Sequence, residues 1–209
     1  MPYVCLLLSG AALLLNGLAM LGRLPRRDAA VLSLVVGGTQ LVLGVVHLGT
    51  AAGAPLLTAA GMFLFGLTYV YVGLDVLLDL GSKGTGWFCG MVAFVGLLLA
   101  AAWLGTDPLL AVLWLAWAVL WGLLFVSSAL GRTGLDATIG WALVLASQTT
   151  ATLPAFLGLA GMWPRQGEAA LLAALVLAGL FGAARTLARR GAEAPGRASP
   201  VPPARGIGS

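Results

Sequence analysis

A chain of 209 residues with 60% hydrophobic and only 9% charged residues cannot be a soluble domain, which carries about a quarter charged residues. Its mean hydropathy of +1.03 indicates an all-α integral membrane protein. The formal net charge of +4 is not a nucleic-acid signal, because the basic residues are sorted by loop rather than clustered.

Seven apolar runs of roughly 18 to 25 residues can be drawn, each able to cross about 30 Å of hydrocarbon as a helix. They lie near 3–22, 29–50, 55–78, 87–104, 109–130, 137–161 and 169–187. The first has its arginines behind it rather than ahead of it, so it reads as a retained span and not a cleaved leader. One of its faces carries Leu6, Ser9, Leu13 and Asn16, and Cys5 lies in the same run. Arg23, Arg26 and Arg27 fill the loop that follows. The second span ends near His47, the only histidine, whose ordinary reading is a water-facing or hydrogen-bonded structural residue.

The third span holds Phe65, Thr68, Tyr69 and Tyr71, then Asp75 and Asp79 at its inner end. Asp79 and Lys83 stand at the i, i+4 spacing of a helical ion pair, an interfacial cluster that would fix helix depth. The fourth span is flanked by Trp87 and Trp103 and contains Cys89. Neither cysteine has a partner spacing, so no disulfide or metal is implied.

The fifth span breaks a rule. Tryptophan usually sits at the headgroup level, and Trp87, Trp103, Trp141 and Trp163 fit that habit. Trp114, Trp117 and Trp121 instead run from one outer turn to mid-span at i, i+3 and i+7, on one helical face. Such a ladder is one wall of a path for something small and flat. The sixth span contains Ser147, Gln148, Thr149, Thr150 and Thr152 ahead of Pro154, which frees the carbonyl of Thr150 from its helical bond. The seventh has no polar residue between Ala169 and Ala184. Residues 191–209 are rich in Pro, Gly, Ala and Arg and read as a disordered tail.

Ten of the eleven basic residues fall on one side of this arrangement, Arg165 being the eleventh. The positive-inside rule then places the N-terminus outside and the C-terminus in the cytoplasm. The 30 glycines, many of them inside spans, predict close helix packing. No Ser/His/Asp grouping, HExxH, CxxC or phosphate-binding loop can be assembled, so no enzyme is implied. A retinal Schiff base would need a lysine in the last span, and the only lysine is Lys83, in a loop. Mid-membrane carboxylates of the kind that ion-coupled carriers use are nearly absent. Passive passage of an uncharged solute follows, with neutral polar groups beside aromatic walls suited to a small amide.

The segments Asn16-Gly17, Val36-Gly37-Gly38, Phe65-Gly66-Leu67-Thr68-Tyr69-Val70-Tyr71 and Trp114-Leu115-Ala116-Trp117-Ala118-Val119-Leu120-Trp121 resemble the AmiS/UreI family of urea and short-chain amide channels. The stretch from Trp141 to Phe156 does so more loosely. The resemblance implies a compact bundle of six helices over residues 1–162, a pore within each protomer, and a homo-hexamer in a bacterial cytoplasmic membrane. It implies that urea or short-chain aliphatic amides pass through and supply a cytoplasmic amidase or urease. Carried over by position, Trp114, Trp117 and Trp121 line the pore, Phe65 and Tyr69 face them, and Leu6, Leu13 and Asn16 complete the wall. Thr68 and Gln148 are further candidate lining residues. No cofactor, metal or nucleic acid enters this reading. Residues 163–190 form a seventh helix added to the family pattern.

Three departures separate the chain from the acid-gated members it resembles. Their pore glutamate aligns with Ala146, one further tryptophan aligns with Leu110, and their histidine-rich outer loops are absent. A proton gate needs groups that titrate in the mildly acidic range, in practice His or a shifted carboxylate. The expectation is therefore an ungated channel. The rival expectations are an accessory membrane subunit that docks an amidase, and a proton-coupled amide carrier.

Overall fold

The computed structural model describes residues 1–50 and 56–193. Seven helices in it are long and apolar enough to cross a membrane, and no strand occurs among the described residues. They are α1 (Pro2–Met20), α2 (Arg26–Thr50), α3 (Leu56–Leu78), α4 (Lys83–Trp103), α5 (Pro108–Ser128), α6 (Thr133–Leu159) and α7 (Gly167–Glu193). Each agrees with an apolar run of the sequence to within a few residues. The last helix continues to Glu193, so the expected tail does not start at 191; residues 194–209 lie outside the described residues.

Helix ends follow local chemistry. α1 closes in a Schellman motif: Gly22 takes the left-handed conformation (φ 69°), its N–H donates to Ala19, and the N–H of Arg23 donates to Leu18. α5 opens with Asp107 as N-cap, whose Oδ1 accepts from the N–H of Leu110 at 3.0 Å, followed by Pro108 in the first turn. α3 stops at Leu78 because Asp79 turns left-handed (φ 54°). The expected Asp79–Lys83 pairing is corrected by this break. No helix spans the two residues, since Lys83 begins α4, so the one-turn spacing does not exist. Asp75 does the structural work instead, accepting from the N–H of Ser82 at 3.0 Å and from its hydroxyl at 2.6 Å.

α6 is composite. A 3-10 turn (Thr133–Leu135) leads into regular helix (Asp136–Ala146), then a π turn (Ser147–Thr152), then helix again (Leu153–Leu159). Pro154 has no N–H to give the carbonyl of Thr150, and the chain absorbs the mismatch by widening the preceding turn. The N–H of Leu153 accordingly donates to Gln148, five residues back.

α2 lies along α3, α4 along α5, and α1 against α6. The α1–α6 seam depends on Gly10 and Gly17. A Cβ on Gly17 would stand 2.8 Å from the carbonyl of Gly140, and one on Gly10 would meet the Thr152 hydroxyl of the π turn. Small residues at these points let the backbones approach, as is usual between membrane helices. α7 lies against α5 and α6 through Ala170, Leu177, Leu180 and Ala184. Large apolar side chains such as Val35, Val42, Phe94 and Leu175 are exposed on the outside, where hydrocarbon would meet them. The chain is a multi-pass membrane protein.

Candidate functional site

The three tryptophans of α5 point inward: Trp114, Trp117 and Trp121 are each 5% exposed or less. Opposite them, α3 presents Phe65, Thr68 and Tyr69, all buried. The rings gather around Phe65 rather than standing in a row. Its centroid lies 5.7 Å from Trp114, 5.0 Å from Trp117, 4.8 Å from Trp121 and 6.3 Å from Tyr69. Trp117 meets Phe65 nearly edge-on, at 87°, and Trp114 at 85°, both favourable quadrupole arrangements.

Two cavities meet at this cluster. The first, of about 240 Å³, opens at the end of the bundle that holds the N-terminus of α1. It is lined by Leu6, Ser9, Met62, Leu110 and Trp114, with Asp107 and Trp163 among its other lining residues. The second, of about 140 Å³, opens at the arginine-bearing end. Leu13, Asn16, Thr68, Tyr69 and Trp121 line it, together with Arg26 and Asp75. Phe65 and Trp117 are the residues that line both. They form the partition between the cavities.

Of the residues singled out in the sequence, Leu6, Leu13, Asn16, Phe65, Thr68, Tyr69, Trp114, Trp117 and Trp121 therefore stand on the cavity walls. Gln148 does not, which corrects that expectation. Ser147, Thr150 and Ala151 are the fully buried positions of the π turn, and Gln148 is exposed on the outside. Its Nε2 donates only to its neighbour Ser147, at 3.1 Å.

The polar groups are oriented by their internal bonds. Asn16 donates from Nδ2 to the carbonyl of Ala12 and to the hydroxyl of Ser33, both at 2.8 Å, which leaves Oδ1 as its free function. Thr68 gives its proton to Leu64 at 2.7 Å, and Tyr69 gives its own to Ser9 in a long bond of 3.4 Å. These three side chains thus present acceptors to the second cavity. Donors come from the indoles. Trp114 and Trp121 bond no acceptor through Nε1 among the described residues, and neither nitrogen is a buried unpaired atom. Trp117 differs: its Nε1 donates to the hydroxyl of Thr150 at 3.0 Å.

Ionisable groups stand at the mouths. Asp107 caps α5 with Oδ1 and accepts from Trp163 with Oδ2, at 2.9 Å. Arg26 and Asp75 flank the opposite opening. No three His, Cys, Asp or Glu side chains converge as metal ligands among the described residues.

Several contributors went unread in the sequence. Trp103 and Trp163, taken as interfacial anchors, line the first cavity. Gln40, fully buried in α2, ties α2 to α1 by donating to Cys5 and to Ser9, each at 2.8 Å; a lone amide in an apolar run was the available signal. Thr85 lines the second cavity with a buried hydroxyl that has no partner among the described residues. Gly61 makes room for Trp114, whose ring would lie 2.7 Å from a Cβ there.

The profile of AmiS/UreI family transporters matches residues 1–162. The chain is 43% identical over 199 residues to a Rhodococcus erythropolis protein assigned as transporter AmiS2, covering 93% of this chain and 97% of that one. It is 38% identical over 204 residues to a Mycolicibacterium smegmatis protein assigned as an amidate substrates transporter, with 93% of each chain covered. Among solved structures, the crystal structure of the urea channel from the gastric pathogen Helicobacter pylori superposes with a TM-score of 0.71 at 28% identity. That match covers 78% of this chain and all of the channel.

Proposed function

The chain belongs to the AmiS/UreI family of transporters, and from that premise we propose that it forms a passive channel for urea and short-chain aliphatic amides. The observation that carries this reading is the pair of cavities, one from each end of the bundle, separated by Phe65 and Trp117. A solute entering from either side meets an aromatic partition whose two residues, Phe65 and Trp117, face both cavities.

The groups on the walls suit a flat neutral molecule with both donors and acceptors. The acceptors Asn16 Oδ1, Thr68 and Tyr69 would accept from the N–H groups of an amide, and the Trp121 N–H would donate to its carbonyl. Together they would replace water hydrogen bonds lost on entry, the costly step for a polar solute in an apolar passage. A hydrated ion would find no such compensation at the partition, where the wall is aromatic. Asp107, Arg26 and Asp75 are confined to the mouths.

In this reading residues 1–162 form the channel unit and α7 is an outer buttress. The N-terminal mouth faces outward and the arginine-bearing mouth faces the cytoplasm, by the positive-inside rule. The membrane is the bacterial cytoplasmic membrane and the assembly a homo-hexamer. The solute would be consumed by a cytoplasmic amidase or urease. Acid gating is not part of the proposal: His47, the only histidine, lines neither cavity, and Ala146 offers no titratable group.

Stopped-flow swelling of proteoliposomes with urea, formamide, acetamide and butyramide tests the assignment. Trp117→Ala removes half of the partition, so butyramide flux relative to urea should rise by about tenfold, the scale of a small steric discrimination. Tyr69→Phe should slow every amide. Rates and solute ranking unchanged in both variants would sink the pore assignment.

A further inference from the structure

The middle tryptophan of the ladder is the one whose N–H is taken. Trp114 and Trp121, one beside each cavity, donate to nothing among the described residues, whereas Trp117 at the partition donates to Thr150. Thr150 is fully buried and touches neither cavity. Its hydroxyl proton goes to the carbonyl of Ala146 at 2.7 Å, so a lone pair is what it turns toward the indole. A hydroxyl committed in this way can only accept from Trp117.

The local backbone supports this geometry. Thr150 lies inside the π turn that Pro154 imposes on α6, and the same turn packs against α1, so closely that a Cβ on Gly10 would meet Thr152 and the carbonyl of Ser147. The acceptor is therefore fixed by packing on α1 as well as by its own helix. Trp117 in turn has three neighbours that set its ring plane: Phe65, Trp114 and the Thr150 hydroxyl. The two aromatic contacts hold the ring by its faces and edges. Thr150 alone holds a particular atom, and so fixes which way the indole points.

We propose that Thr150 is a positioning residue that sets the solute-size selectivity of the partition by anchoring the Trp117 indole there in one orientation. The proposal rests on the channel reading above. With the anchor cut, the indole N–H is a buried donor without a partner, a state that costs about 1–3 kcal/mol. The ring is then driven to turn toward the cavities, where water and solute can accept from it. It would enter the cavity space it now borders, and the partition would no longer be defined by one ring orientation.

Thr150→Val keeps the shape and removes the acceptor; Thr150→Ser keeps the acceptor. In proteoliposomes, Thr150→Val should lower urea flux by about tenfold, the effect of roughly 1.4 kcal/mol, and flatten the urea-to-butyramide ratio. Thr150→Ser should restore both. The indole N–H of Trp117, followed by 15N-tryptophan NMR in detergent or by the hydrogen-bond-sensitive indole Raman band, should lose its bonded signature in Thr150→Val and keep it in Thr150→Ser. Trp117→Phe removes the donor, so in that background Thr150→Val should have no further effect on flux or ranking. This cycle also covers the case in which Thr150→Val alone does not fold, because Trp117→Phe breaks the same bond from the other side and should itself flatten the ratio. An unchanged N–H signature in Thr150→Val overturns the proposal, and so does a lost signature with wild-type flux and ranking. Absence of amide flux in the wild type would instead refute the channel reading, while the N–H signature would still report whether the anchor exists.

Discussion

Asn16 and Gln148 are both neutral amides in apolar helices, yet they have opposite surroundings. Asn16 has both donor positions occupied by Ala12 and Ser33 and turns one acceptor to the second cavity. Gln148 faces outward and bonds only its neighbour. Asn16→Leu should therefore slow amide flux several-fold, and it should also cost about 1 kcal/mol of stability, the range for an interhelical hydrogen bond in a membrane protein. Gln148→Leu should leave flux where it is. Swelling rates of the two variants at matched protein density check the contrast. Gly61→Ala is a third probe. Its methyl would lie 2.7 Å from the Trp114 ring, so the ring must shift, and entry through the first cavity should slow without any loss of hydrogen bonding.

At the scale of elements, the seven spans were legible because twenty apolar residues in a row have few other uses. The tryptophan face was legible because 3.6 residues per turn brings positions i, i+3 and i+7 together, and α5 is a regular helix throughout. In α6 the inward positions of the π turn are Ser147, Thr150 and Ala151, and the residue reaching Trp117 is one threonine in a run of neutral polar residues. Composition marked that run, but which of its hydroxyls meets an indole of α5 depends on how the two helices pack. The Asp79–Lys83 pairing went wrong because helical spacing was assumed across a break that a left-handed Asp79 introduces. Close approach of helices was legible only as glycine abundance. Which glycines sit in seams is a property of the fold: Gly17 faces backbone atoms of α6, while Gly179 and Gly182 have nothing nearby. Gly17→Ala should destabilise the bundle by about 1–3 kcal/mol, the usual range for overpacking. Gly179→Ala should be close to neutral. Thermal unfolding in detergent distinguishes them.

For the whole molecule, the distribution of charge is the governing feature. Charged side chains stand at the two mouths, and the partition between the cavities is aromatic. A neutral solute crosses such a barrier by exchanging water for fixed hydrogen-bonding groups, with no ion to carry along. Flux should also be indifferent to acidification of the outer face. His47 lines neither cavity, and Asp107, at the mouth of the first cavity, is engaged by Leu110 and Trp163. Urea and acetamide rates measured with the outside at about pH 5 and about pH 8 should agree within roughly twofold; a several-fold rise on acidification would reveal a titrating gate.

The central claim, passive passage through this chain alone, is tested most directly by acetamide uptake into liposomes that contain only the purified protein. The account predicts that uptake follows the acetamide gradient in either direction, stops at equal concentrations, and ignores imposed membrane potentials and pH gradients. Accumulation against the acetamide gradient when a proton gradient is imposed, or no uptake above protein-free liposomes, would contradict it.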